Sequence, residues 1–285
     1  MTEKMIRSMA GYVLVECSLS SLKADNKRVI EKGEIDGFFI NPHNKWDGKP
    51  EDLHRITDQV KALNIPVADD IGLTVTHLSR FKLLEYLYVA ECSLPIKFES
   101  PCLRELGIGL TKRMTLGSLL NLEYLYLRNV NNPNTPPSWP EMPKLRYLAL
   151  VLGGLQTLEG IDRLETLAHL DISYLNRLES IAALRELPIK HLWIEACSKI
   201  SNLPEVVSAL RGLNSLRIIN CGVLKNLSFL SNLSLQEFRF LGTKVLDGNL
   251  SLLDKIPVVS FDDARHYNRK KKNFDGHNPS PSYQK

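Results

Sequence analysis

No stretch of the sequence reaches about 18 consecutive apolar residues, the length a helix needs to cross a bilayer. The first twenty residues hold only a short apolar run, Gly11 to Val15, and no small-residue cleavage site, so a cytoplasmic chain without a membrane span is expected. Cysteine is sparse: there are five, an odd number, and none forms a CxxC pair, which excludes a dense disulfide framework and the common zinc modules. The phosphate loops GxGxxG and GxxxxGK[ST], the GxSxG elbow and the HExxH helix are all missing. Net charge is small, +4, and it is local. Residues 265–285 carry six Lys or Arg against one Asp, which leaves −1 for residues 1–264 and excludes a surface that is basic throughout.

What is present is repetition. LEYLYVAEC from Leu84 returns as LEYLYLRNV from Leu122, and the template LxxLxLxx recurs every 19 to 24 residues, starting at Leu84, Leu103, Leu122, Leu145, Leu167, Ile189, Leu213, Leu235 and Ile256. Weaker copies, IDGFFI and VKALNI, start at Ile35 and Val60, and a more degenerate one, YVLVEC, starts at Tyr12. Apolar residues at positions four and six of each copy alternate with others at three, five and seven, a period of two that predicts a short strand with one buried face. A strand that short cannot bury its face alone. Stacked copies make a parallel sheet with a continuous leucine core. Between the strands, LESIAALRELP from Leu178 and LKNLSFLSNLS from Leu224 place apolar residues every third position, which suits short 3₁₀ turns.

On these residues the chain resembles the leucine-rich repeat family, and the spacing of about 22 with this outer pattern resembles its internalin-like class. The resemblance implies an α/β solenoid, a curved horseshoe with a concave parallel sheet and 3₁₀ or helical turns on the convex side. The expected organisation is a cap or degenerate first repeat over 1–34, about eleven repeats over 35–264, and a basic tail over 265–285 that lacks periodicity and is expected to be disordered after Tyr267. The family often carries asparagine at the ninth position, where it bonds buried backbone groups. Here that position reads Cys92, Thr111, Val130, Gly153, Leu175, Cys197, Cys221, Thr243 and Ala264, so other groups must do that work, and three cysteines read as inward-facing and structural. NNPNTPPSWPEMP, from Asn131, has five prolines in thirteen residues and predicts an extended loop over Trp139. GKPEDLHRITDQVKAL, from Gly48, predicts a short amphipathic helix.

Positions three, five and seven are free of the packing requirement and are expected to face the concave side. Five of the nine tyrosines fall on positions three and five: Tyr86, Tyr88, Tyr124, Tyr126 and Tyr147. With Glu105, His169, Asp171, His191, Trp193, Glu195, Arg217 and Arg239 they make the candidate partner-binding set, an aromatic centre with a charged flank. Glu105 and Gly107 lie between the two tyrosine pairs and predict a low step there that a partner's side chain could enter. Tyrosines also suit strands for packing reasons alone, and cross-strand ring contacts are the competing explanation.

The expected function is non-enzymatic binding of another protein by a monomer, with no cofactor or metal; an inhibitor or immunity-type role is one form of it. The alternatives are a regulatory or scaffolding subunit, nucleic-acid binding through the basic run Arg269–Lys272, and metal-dependent chemistry at His169, Asp171, His191 and Glu195.

Overall fold

Every LxxLxL core forms a strand, because its leucines can be buried only against those of the copies before and after it. The computed structural model describes residues 4–19, 22, 26–40, 49–66, 75–89, 101–109, 119–130 and 139–274. They fall into two compact units, Met1–Asn131 with Trp139–Leu145, and Asn132–Ser138 with Arg146–Lys285. The division lies at the proline-rich segment, of which Trp139 is buried and 131–138 lie outside the described residues.

In the first unit the strands are β1 (Met5–Arg7), β2 (Val13–Cys17), β3 (Gly37–Ile40), β4 (Ala62–Ile65), β5 (Tyr86–Val89), β6 (Glu105–Gly109) and β7 (Tyr124–Val130), paired in chain order. β1 runs antiparallel on β2 and all later pairs are parallel. The degenerate copy at Tyr12 is in step with the rest: Leu14, Gly37, Ala62, Tyr86, Glu105 and Tyr124 occupy one row.

The second unit holds β8 (Tyr147–Gly153), β9 (His169–Leu175), β10 (His191–Glu195), β11 (Ser215–Ile219), β12 (Gly222–Leu224), β13 (Glu237–Phe240), β14 (Thr243–Val245) and β15 (Val258–Phe261). β8, β9, β10, β11, β13 and β15 form a parallel sheet in that order, with Tyr147, His169, His191, Ser215, Glu237 and Val258 in one row. β12 and β14 pair separately.

Positions four and six are the core. Leu87, Leu106, Leu125, Leu148, Leu170, Leu192, Leu216 and Phe238, with their partners two residues on, are each at most 2% exposed. Burial of that kind is worth about 1.5–3 kcal/mol per side chain. In the second unit the return path uses 3₁₀ turns at Ile161–Arg163, Ala182–Leu184, Ser228–Leu230 and Ser251–Lys255, as the period of three requires, and a helix at Leu203–Ala209. The helix expected after Gly48 is shorter than its pattern: only Pro50–Arg55 turn, as 3₁₀, because Ala62 and the three residues after it are drawn into β4.

A second regularity sits at positions eight and nine. Asn129, Leu152, Tyr174, Ala196, Asn220 and Gly242 occupy position eight of successive copies, and all have left-handed backbone, with φ between 52° and 61°. That turn directs position nine inward. The Cys197 thiol lies 3.2 Å from the Glu195 carbonyl and 4.0 Å from that of Ile172 in the preceding copy. Cys221 repeats the arrangement with Ile219 at 3.2 Å and Ile194 at 3.5 Å, and the Thr243 hydroxyl with Leu241 at 3.4 Å and Ile218 at 3.1 Å. In return, the backbone N–H groups of Leu175 and Cys197 donate to the next copy's sulfur, and that of Cys221 donates to Thr243 Oγ1 at 3.0 Å. Thiols and a hydroxyl therefore form the ladder that amides form elsewhere. Burial pushes the Cys197 thiol up to about 12 and raises that of Cys221 as well, which keeps both protonated as donors and poor as nucleophiles. Cys92 lies outside the described residues.

The tail is a correction. Tyr267 is buried with its hydroxyl accepting the Val245 N–H at 2.9 Å, Asn268 accepts the Leu250 N–H at 2.7 Å, and Phe274 packs edge-on against Phe261 at 5.8 Å. Residues 265–274 are a cap that satisfies the backbone of the last repeats, and aromatic anchors compensate for the lost period. Residues 275–285 lie outside the described set.

Left-handed backbone costs a residue with a Cβ roughly 1–2 kcal/mol, and glycine nothing comparable. Ala196→Gly is therefore expected to raise stability by about 1 kcal/mol in chemical unfolding. Gly242→Ala should lower it, since a Cβ there meets Asn220 Oδ1 at 1.9 Å. A lower unfolding midpoint for Ala196→Gly would show that position eight carries no strain.

Candidate binding face of the sheet

In the first unit the outward face is partly occupied by the protein itself. The turn Ser8–Gly11 between β1 and β2 folds over it, so that Ala10 N–H donates to Glu105 Oε2 at 2.8 Å and Met9 N–H to Glu105 Oε1 at 3.3 Å. The Tyr12 hydroxyl donates to Glu85 Oε2 at 2.6 Å, and its ring lies 6.3 Å from that of Tyr86. Tyr12, Leu14, Ala62 and Tyr86 form a small apolar cluster here, with Ala10, Phe39 and Tyr88 packed against it. Tyr86 is 7% and Glu105 8% exposed, so the expectation that both stand open on this face is corrected. The Tyr86 hydroxyl accepts Asn64 Nδ2–H at 3.0 Å. Burial raises the Glu105 carboxyl above its ordinary range, and the bonds from Ala10, Ser8 and Met9 restrain that rise.

The low step is also filled. Tyr88 leans across Gly107 to meet Tyr126, ring centroids 5.9 Å apart, and a Cβ at Gly107 would lie 2.2 Å from the Tyr88 ring. Glycine is needed there for the ring, not for a visitor. Tyr88, Tyr124 and Tyr126 remain half-buried. The sequence did carry one sign of the covering turn: position three is Ala62 in the copy against which Ala10 packs, where other copies place large side chains, whereas the neighbouring Gly37 is needed for its close approach to the Ala62 backbone.

The second unit brings its candidates together without such a cover. Tyr147 donates to Asp171 Oδ2 at 2.5 Å, and His169 Nε2 lies 3.1 Å from Asp171 Oδ1. The His169 ring is 4.7 Å from that of Tyr147 and stacks at 5.1 Å on that of His191. Next in line, the Arg217 guanidinium sits 5.1 Å above the Trp193 ring, a cation–π contact. Glu237 accepts from Ser215 at 2.9 Å and from Arg217 at 3.2 Å, and pairs with Arg239. Asp171, Trp193, Arg217 and Arg239 are half-buried, Tyr147 is buried and His191 exposed.

Two participants lie outside the candidate set. Glu237, which its position three places in the charged flank though not in that set, is the acceptor that holds both arginines. Tyr174 reaches Glu195 Oε1 at 3.3 Å from position eight, where an aromatic is unexpected because the backbone there is left-handed.

Among the described residues no group of three or more His, Cys, Asp or Glu could hold a metal ion. Asp171 already serves Tyr147 and His169. In the basic run, Arg269 pairs with Asp254 at 2.6 Å, and Lys270 Nζ donates to the carbonyls of Ala264 at 2.6 Å and Arg265 at 3.3 Å, so half of it serves the cap. Among the described residues no helix is long and apolar enough to cross a membrane.

Burial alone would raise the Glu237 carboxyl; bonds from Arg217, Arg239 and Ser215 outweigh it and hold the group below its ordinary 4.5. A depressed carboxylate contributes stability that is fully present above its unfolded value and is lost as pH falls through the folded one. Glu237→Gln is thus expected to be less stable at neutral pH, and to lose less than the parent between about pH 5 and pH 3 in chemical unfolding. Equal losses in the two proteins would remove Glu237 from the account.

No protein-family model matches the chain, and no curated protein is detectably similar to it in sequence. Among solved structures it is similar to an internalin from Listeria monocytogenes, with 19% sequence identity and a TM-score of 0.56, over 83% of this chain and 70% of that one. With the in-register parallel strands, 3₁₀ returns and inward ladder, this likeness gives the chain an internalin-like leucine-rich repeat fold.

Proposed function

We propose that the protein is a non-catalytic protein-binding module, acting as a monomer in the cytoplasm, that holds its partner on the outward face of the second unit's sheet. The observation that carries this reading is the connected row from Tyr147 to Arg239. Its rings and charges are held by one another while the core stays on the opposite face. Side chains ordered before binding lose little entropy on contact, and Trp, Tyr and Arg are the residues that most often dominate such contacts. The exposed edge at Tyr174 and Glu195 extends the row. In the first unit, Tyr88, Tyr124 and Tyr126 supply a second aromatic area. The cytoplasmic reading is supported by four described cysteines that are all free thiols.

Arg217 and Arg239 share one acceptor, Glu237, so the flank offers orientation more than net charge. A phosphate track would need unpaired cations, and this face has paired ones.

The test is binding by variants. Trp193→Ala removes the ring beneath Arg217 and is expected to weaken a partner recovered from the source cell by about 2–4 kcal/mol in calorimetry, with unchanged chemical unfolding. Arg185→Ala, in the exposed pair with Glu205 on the return path, should bind as the parent does. Partner binding that survives Trp193→Ala and fails in Arg185→Ala would move the site off the sheet face. Measuring the partner's own activity in the complex then separates inhibition, which abolishes it, from scaffolding, which preserves it.

A further inference from the structure

We propose that the N-terminal turn Ser8–Tyr12 is a displaceable latch: it fills in cis a notch on the first unit's sheet face, walled by Glu85, Tyr86 and Glu105, that receives a polypeptide turn of the partner once the latch is out. The partner chemistry follows from what the latch supplies. Two consecutive backbone amides, Met9 and Ala10, meet one carboxylate, and an aromatic hydroxyl meets a second.

Three features fit a latch better than a permanent part of the core. First, the turn closes on itself: Ser8 N–H donates to Tyr12 O at 2.9 Å, Gly11 N–H to Ser8 O at 3.1 Å, and Tyr12 N–H to Ser8 Oγ at 3.2 Å. It can leave the sheet with those bonds intact. Second, its polar hold on the sheet face falls on three charged side chains, Glu85, Glu105 and Arg104, which water can solvate once they are uncovered. Third, the leucine core, Leu87 and Leu106 included, lies on the other side of the strands, and the apolar contact the turn makes is confined to the small cluster of Tyr12, Leu14, Ala62 and Tyr86. Met5 and Met9 are 67% and 56% exposed on the same hairpin, an apolar handle that a competing chain can engage. Burial works against the Glu105 charge, so release lowers that cost and offsets part of what the contacts contribute.

The identity of what replaces the turn rests on the sheet face being the partner surface; the release does not. The experiment therefore uses no partner. In the full-length protein, Ala10→Pro removes one donor to Glu105 and leaves the notch residues unchanged. Hydrogen exchange read by mass spectrometry is expected to rise about tenfold or more in residues 8–12, the loss of one charge-assisted bond, while β5, β6 and β7 keep parental protection. A synthetic peptide of residues 4–17 should then bind the variant saturably and the parent far more weakly. Glu105→Gln, which alters the notch itself, should release the turn and fail to bind the peptide. Protection lost together from the turn and from β5, β6 and β7 would make the turn a structural cap and overturn the proposal. So would a peptide that binds neither protein, or both equally.

Discussion

The structure depends on a two-residue device at the ends of successive strands: a left-handed residue at position eight in six copies, after which Cys197, Cys221 and Thr243 at position nine turn inward to bond the backbone of the preceding copy. Without it, the carbonyl at position six and the N–H at position nine would be buried with no partner, at a cost of about 1–3 kcal/mol per group. Cys197, Cys221 and Thr243 meet that demand with single-atom side-chain groups that both donate and accept. The register that this maintains is what lines up Tyr147, His169 and His191 on one strand after another. A slip of one residue would exchange core and face.

Because packing consumes only alternate positions, the outward face is left to other requirements, and the two units use it differently. In the second it is a row of side chains that bond one another: Tyr147 to Asp171, Arg217 over Trp193, Glu237 between two arginines. In the first, the N-terminal turn packs Ala10 against the cluster that holds the small Ala62, and Glu105 serves as its acceptor. One template thus yields a face whose side chains bond one another and a face that holds part of the same chain.

Much of this was legible in the sequence, and the limits have physical reasons. The leucine positions and the 3₁₀ returns follow from local periodicity, which is why even the degenerate copy at Tyr12 falls in step. The ladder was half legible: the cysteines read as inward and structural from their position, but their bonds to a neighbouring copy's backbone do not show in a single repeat. Tyr86 and Glu105 were placed on the correct face and wrongly left open, because the turn that covers Glu105 lies 95 residues earlier and no periodic pattern relates the two. The filling of the step by Tyr88 depends on a ring's lean, which spacing does not encode. The cap at residues 265–274 was read as disorder because loss of period resembles loss of structure, although Tyr267 and Phe274 were the apolar anchors that distinguish the two.

Thr243 tests the ladder most directly, since it is 4% exposed, accepts the Cys221 N–H and donates to the Ile218 carbonyl. Thr243→Val keeps the shape and removes both bonds; Thr243→Ser keeps the bonds and removes a methyl group. Chemical unfolding of the two variants beside the parent is the measurement. The account predicts a loss of about 1–3 kcal/mol for the valine variant and a clearly smaller loss for the serine variant. A valine variant as stable as the parent would contradict it.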